Sequence, residues 1–111
     1  MEFHLDSDIF DIIVNKDKDV EIRLNDEKRR KLKIGDTLVF LKRSDDIESI
    51  SVIVTNLVYF DSFIDVTNYY DMKRVYLDNT SKEDYINLMK RFYSDEEVYK
   101  YGVVAIEFTL D

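Results

Sequence analysis

Five segments of this chain read as β-strands, and the helical segments between them fall into no regular strand–helix–strand rhythm. A doubly wound parallel sheet needs that rhythm, so its absence points to an α+β domain built on a mostly antiparallel sheet or barrel. Glu2 to Leu5 alternates in polarity. Val20-Glu21-Ile22-Arg23-Leu24 alternates with a period of two, which sets Glu21 and Arg23 on one face of a strand. Thr37 to Lys42 is mostly apolar, the pattern of a buried strand. Ile50 to Tyr59 and Val103 to Leu110 complete the set.

Helix signals lie between the strands. Ser7 reads as an N-cap, with Asp8 in the first turn where the helix dipole favours negative charge. Ile9, Phe10, Ile12, Ile13 and Val14 form the apolar face of the helix that follows, which should end near residues 15–17. Asp26 to Lys31 is a charged helical turn, Lys33-Ile34-Gly35-Asp36 a tight turn, and Ser44-Asp45-Asp46 a hairpin turn. Asp61 or Ser62 caps a short helix carrying Phe63, Ile64 and Val66. Residues 68–80 show no clear period. Ser81 caps a helix from Lys82 to Phe92, with Tyr85, Leu88, Met89 and Phe92 at helical spacing. Ser94-Asp95-Glu96-Glu97 is a capping-box pattern for another helical turn, which Gly102 ends.

A length of 111 residues gives room for one domain with its own core and not for two, so residues 1–111 are read as a single domain. Hydrophobic residues make up 45% and charged residues 36%, a globular balance. The absence of cysteine excludes disulfides and thiolate metal sites and suits a reducing cytoplasm. With His4 the only histidine and no EF-hand spacing among the carboxylates, no metal and no cofactor is expected. The first sixteen residues carry acids through their apolar stretch and lack a basic start, which does not read as a signal peptide. No apolar run approaches the roughly 20 residues that span a bilayer. Phosphate-loop, dinucleotide and serine-hydrolase motifs are missing.

The formal net charge of −8 argues against nonspecific coating of nucleic acid, because a polyanion would be repelled. The charge is uneven. Residues 16–43 hold ten basic and six acidic side chains, a local excess of +4. Such a segment is either a solvated helix face and turn or a surface that meets a phosphate or another anion.

Several pieces of the chain together resemble the ASCH family of the PUA-like superfamily: the helix Ile9 to Val14, the segment Lys18 to Arg29, the turn Ile34-Gly35-Asp36-Thr37 and the ending Tyr93-Ser94 through Tyr101-Gly102 to Phe108. The family's G-x-K-x-x-E-x-R pattern has its last three fixed places on Lys18, Glu21 and Arg23. The resemblance implies a small PUA-like, mostly antiparallel β-barrel with flanking helices, and RNA-related work. Two places depart from the pattern. Its glycine falls on Lys16, which takes from the loop glycine's freedom for positive φ. The threonine many relatives carry just after the lysine is Asp19, a carboxylate that would repel an anion.

The candidate ligand-binding residues are Lys18, Glu21, Arg23, Tyr93 and Tyr101. Lys18, at the mouth of a loop, is placed to hold an anion or, with a lowered pKa, to act as a base; otherwise it is a surface lysine at a turn. Glu21 and Arg23 are close enough to pair, either as a structural ion pair or as a polarising carboxylate beside a guanidinium fork that grips a carbonyl or phosphate. Tyr93 and Tyr101 either stack on a base or pack against a core edge. The basic run Lys28-Arg29-Arg30-Lys31 is either solvated or in contact with RNA phosphates.

Three functions follow as expectations. The favoured one is a cytoplasmic module that binds RNA or a nucleoside-like small molecule in a cleft beside the Lys18–Arg23 strand. The second is a hydrolase, with Lys18 and Glu21 catalytic. Some ASCH proteins are acetylcytidine amidohydrolases that use a lysine, a threonine and a glutamate, and others are reported as ribonucleases. Lys18 matches that lysine, but the threonine's place falls on Glu21 and the glutamate has no assigned counterpart. The third is a protein-interaction domain without a ligand. An open polar cleft next to Lys18 favours the first two, and a cleft filled by side chains favours the third. On the sequence alone, Lys18→Ala is expected to abolish binding and leave the fold intact.

Overall fold

Hydrogen bonding joins the five strands into one sheet in the order β1-β3-β4-β5-β2. The strands are β1 (Glu2–Leu5), β2 (Val20–Leu24), β3 (Thr37–Lys42), β4 (Ser49–Phe60) and β5 (Val103–Leu110). This computed structural model describes residues 1–43 and 48–111; the hairpin turn expected at Ser44-Asp45-Asp46 lies outside the described residues. Every pairing is antiparallel except β1 with β3, which is parallel. The result is a curved half-barrel of α+β class whose edges are β1 and β2.

The helices are α1 (Ser7–Val14), α2 (Phe63–Tyr69), α3 (Met72–Val75), α4 (Lys82–Phe92) and α5 (Asp95–Tyr101). Asp6, with extended backbone, holds the N-cap position of α1, so Ser7 is its first helical residue rather than its cap. Ser62, Ser81 and Ser94 cap their helices as the sequence implies, each accepting a backbone N–H three residues on. The charged turn after β2 is a 3-10 turn at Arg29–Lys31, held by Asp26, whose Oδ1 accepts from the Arg29 amide at 3.1 Å. In the aperiodic stretch 68–80 sits α3, four residues long, too short to leave a periodic signal. Gly102 adopts φ 72°, and a Cβ there would stand 3.2 Å from the Phe60 carbonyl oxygen, so only glycine joins α5 to β5 without strain.

Alternation sorts the core into two layers. Val104, Ile106 and Phe108 of β5 join Phe3, Leu5, Phe40, Val52 and the α1 face on one side. Val103 and Ala105 point the other way, into Val66, Tyr70, Val75 and Tyr85 from the helices. Buried on both faces from Val103 to Ile106, β5 reads there as a continuous apolar run. On β2, Val20 and Ile22 belong to the helical layer. Glu21 and Arg23, cross-strand partners of Ile106 and Val104, therefore stand on the inner face of the half-barrel, in a row that its neighbour fills with apolar side chains.

The loop that leads into β2 takes the left-handed turn even without glycine. Lys16, at φ 66°, is the one non-glycine residue with positive φ among the described residues. Its amide donates to Ile13 O at 2.9 Å and the Asp17 amide to Ile12 O at 2.9 Å, the paired bonds of a Schellman motif closing α1. That geometry explains why the family pattern has glycine there. Lys16→Gly is expected to stabilise the fold by about 1 kcal/mol, the strain released less glycine's added chain entropy, read as a higher midpoint in thermal unfolding. An unchanged or lower midpoint would count against strain at this position.

Candidate functional site

Where the two sheet edges face each other, the half-barrel is bridged by side chains. The Arg23 guanidinium of β2 lies over the Phe3 ring of β1, 4.6 Å from its centroid. Beside this contact opens a cleft of about 160 Å³, with His4 and Leu5 from one edge and Glu21 and Arg23 from the other. The end of α3 and one face of α4 close it, contributing Tyr76, Tyr85, Phe92 and Tyr93.

Lys18 forms the floor and is almost wholly buried, 2% exposed. Its ammonium donates to the carbonyls of Val20 and Val75, the latter at 2.6 Å, and meets Glu21 Oε1 at 3.1 Å. An ammonium has three protons, and three acceptors surround this one. Burial lowers the Lys18 pKa and Glu21 opposes the drop; the three acceptors hold the group in its charged form. Burial by itself would raise the Glu21 pKa, but Lys18 and Arg23 outweigh it and bring the carboxyl below its ordinary value. Glu21 is thus a carboxylate between two cations, with Oε2 accepting from Arg23 Nε at 2.8 Å. Arg23 is left with its Nη edge engaged by no acceptor among the described residues, and its side chain is 18% exposed in the cleft.

Tyr93 reaches the cleft, with its ring stacked on Phe63 at 5.6 Å. Burial raises the pKa of Tyr76, Tyr85 and Tyr93, so each hydroxyl stays neutral and able to donate at ordinary pH. Tyr101 is the last residue of α5, where the Lys100 ammonium lies 5.1 Å over its ring, and it does not line the cleft. Of the five candidate residues, four are brought together and Tyr101 stands apart.

Asp19 also faces away. It holds Arg74 at 2.8 and 3.3 Å, its amide donates to the Arg74 carbonyl, and it lines a separate hollow of about 280 Å³ behind Lys18. The anion repulsion expected of this carboxylate is directed away from the cleft and neutralised by Arg74. The larger hollow gathers none of Glu21, Arg23 and Tyr93.

Phe92 and Tyr76 are among the cleft residues that escape sequence reasoning, as are Asp6 and Arg43. Phe92 sits at helical spacing with Tyr85 and Met89 and reads as core, yet it is 62% exposed at the cleft. Tyr76 follows the short α3 in the stretch without period, and no sequence signal marks it. Among the described residues no group of three or more His, Cys, Asp or Glu is arranged to hold a metal, and no helix is long and apolar enough to cross a membrane.

The family model for the ASCH domain matches residues 4–110. The chain belongs to the ASCH domain family. The fold of this ASCH domain is shared with two solved proteins of Pyrococcus origin. The crystal structure of hypothetical protein PH0355 superposes with a TM-score of 0.86 at 32% identity, covering 99% of this chain and 97% of the other. The solution NMR structure of protein PF0455 from Pyrococcus furiosus gives 0.73 at 31% identity, with coverage of 99% and 97%. The five-stranded half-barrel matches the PUA-like fold that the family resemblance implies, as an open sheet rather than a closed barrel. No curated protein matches this ASCH domain.

Proposed function

We propose that this ASCH domain binds a planar, hydrogen-bonding ring of the nucleobase type, presented by RNA or by a nucleoside, in the cleft between its two sheet edges. The observation that carries this reading is the unengaged Nη edge of Arg23. Glu21 pins the guanidinium through Nε, and Glu21 is itself fixed by Lys18, so two parallel N–H donors are held in place before any ligand arrives. A ring carbonyl with an adjacent acceptor fits that fork. Phe92, exposed at the same cleft, offers a face for stacking, and neutral tyrosine hydroxyls supply further donors. The cleft is open and the Arg23 Nη edge reaches it, which weighs against a domain that has lost its ligand.

The hydrolytic reading has weaker support. A general base needs a free lone pair, whereas the Lys18 ammonium has an acceptor for each of its protons and Glu21 is stabilised as a carboxylate by two cations.

Amide NMR titration with cytidine and with a short single-stranded RNA tests the binding reading. Shifts are expected at residues 18–23 and near Tyr76, Phe92 and Tyr93. Phe92→Ala, which removes an exposed ring and leaves the core untouched, is expected to weaken binding about tenfold, the value of one base–aromatic stack. Millimolar ligand that moves no resonance in the cleft would refute the assignment.

A further inference from the structure

One stretch of strand edge is left open in the middle of the sheet. β4 is twelve residues long, and β3 pairs only with its first part, from Ser49 to Ile53. The turn before β3 covers one residue more, where Val54 exchanges bonds with Gly35 and Asp36. Beyond a bulge between Val54 and Asn56, β4 runs on to Phe60 against β5 alone. Even-numbered residues of β5 turn their backbone groups toward β2, as the bond from Phe108 N–H to Asp19 O shows. The odd-numbered ones face β4, and their partners there are Asn56, Val58 and Phe60. Leu57 and Tyr59 therefore turn N–H and C=O to the other side, where no backbone group among the described residues meets them.

The side chains along this edge suit a partner strand. Ser49–Phe60 is the longest run without Asp, Glu, Lys or Arg in a chain of which 36% is charged. Native proteins guard open edges with charged side chains, inward-pointing ones included. The outer strands follow that rule, with Glu2 on β1 and Glu21 and Arg23 on β2, whereas β4 carries no charge at all. Both faces of the open stretch also present aromatic rings. Tyr59 is 59% exposed on the face it shares with Leu57. On the opposite face Tyr69, 62% exposed, meets the Phe60 ring edge-on at 5.4 Å.

We propose that this edge pairs with the same edge of a second copy of the chain, antiparallel about a two-fold axis at Val58. Leu57 of each copy then lies opposite Tyr59 of the other, and each such pair exchanges both of its N–H···O=C bonds. The charge pattern singles out a second copy as the occupant. With a formal net charge of −8, two copies repel each other over most of their surfaces. A two-fold contact sets a strip against itself, and this strip brings no carboxylate against a carboxylate. A foreign partner drawn to an acidic protein would be basic, and the strip offers it no counter-charge. The nearest charge, Asp61, falls beside Thr55 of the other copy. The strip from Thr55 to Phe60 is far shorter than the about 20–30 residues a side of a stable complex, so the dimer forms at high concentration and exchanges with monomer. Neither Leu57 nor Tyr59 lines the cleft, which leaves pairing independent of ring binding.

Sedimentation equilibrium from about 10 µM to about 1 mM, with amide hydrogen exchange followed by NMR, tests the pairing. At the low end the mass is expected to be the 13.3 kDa of one chain, with the Leu57 and Tyr59 amides exchanging fast. Toward the high end the mass should climb toward twice that value, and both amides should gain protection. Tyr59→Lys, at an exposed position, places an ammonium on the strip of each copy and is expected to weaken association at least about tenfold. Thr55→Glu, beside Asp61 of the other copy, should weaken it about threefold at low salt, and Thr55→Lys should strengthen it by a similar factor. Equal responses to the two Thr55 variants would overturn the two-fold register. A monomer up to about 1 mM with both amides still exchanging fast would overturn the proposal. So would a dimer that Tyr59→Lys leaves intact, or one that forms without protecting Leu57 and Tyr59, since the contact would then lie elsewhere. A parent that stays monomeric but gains protection at these two amides on addition of the capped peptide Thr-Val-Thr-Val-Thr-Val would overturn the second copy and give the edge to a foreign strand.

Discussion

Lys18→Met is expected to lose about 3–5 kcal/mol of unfolding free energy, the range for breaking a buried ion pair by removing one partner. In the folded chain Lys18 ties β2 to α3. Its ammonium bonds the first residue of β2, the last residue of α3 and the Glu21 carboxylate. Methionine fills the same volume but cannot donate, so the carbonyls of Val20 and Val75 lose a partner inside the protein and Glu21 keeps only Arg23. The tie to α3 is reinforced by the Asp19 amide to Arg74 O and by the Asp19–Arg74 ion pair, so α3 should remain docked but loosened, with Val75 and Tyr76 less well placed in the cleft. Urea unfolding followed by far-UV circular dichroism reads the loss. A midpoint equal to that of the parent would show that the buried ammonium contributes no stability. The expectation from sequence, that Lys18→Ala abolishes binding and leaves the fold intact, changes accordingly: weakened binding in a Lys18 variant reports on the fold as much as on contact with a ligand.

Glu21→Gln is expected to cost a similar amount, about 3–5 kcal/mol, because it leaves the Lys18 ammonium buried without its counter-charge. It also frees Arg23, whose Nε loses a carboxylate acceptor. The pH dependence separates this loss from a packing defect. The folded pKa of Glu21 lies below its ordinary value of 4.5, so on acidification the unfolded chain takes up the proton first. The stabilising contribution is therefore complete above pH 4.5 and is lost as pH falls through the folded value. The parent should lose stability across that acid limb, the glutamine variant should lack that share of the slope, and the gap between them should narrow toward low pH. A gap independent of pH would assign the loss to shape rather than charge. In the double variant Lys18→Met/Glu21→Gln the loss should fall well short of the two single losses combined, since neither partner is then left charged and buried alone. Full additivity would deny that the two groups act as a pair.

What could be read from the chain and what could not divide along a physical line. Segments whose side chains repeat with the period of their own backbone announced themselves: the five strands, α1 and α4, and the serine caps of α2, α4 and α5. The period of two also set Glu21 and Arg23 on one face, and the spacing of Lys18 to Glu21 suffices for their contact. These are local relations, carried by chain geometry over a few residues. The four-residue α3 has no room for a period, and its position rests on bonds to residues 17–19 more than fifty positions away. Phe92 follows the helical stripe of Tyr85 and Met89, so only the location of the open sheet edge decides that it faces a cleft instead of the core. Tyr93 and Tyr101 look alike in sequence, but one packs against Phe63 beside Arg23 and the other ends α5 away from the cleft.

By itself, the sequence determined the α+β class, the five strands, the helices other than α3 and the shared face of Glu21 and Arg23, because each depends on alternation, capping and spacing within a short stretch of chain; Lys18 joined that pair through the family resemblance. Tertiary structure alone decided that the half-barrel stays open between β1 and β2, that Lys18 is saturated by three acceptors, and that the Arg23 guanidinium meets the Phe3 ring. Those facts depend on which distant segments pack together, and nothing in the local pattern of a segment encodes its distant neighbours.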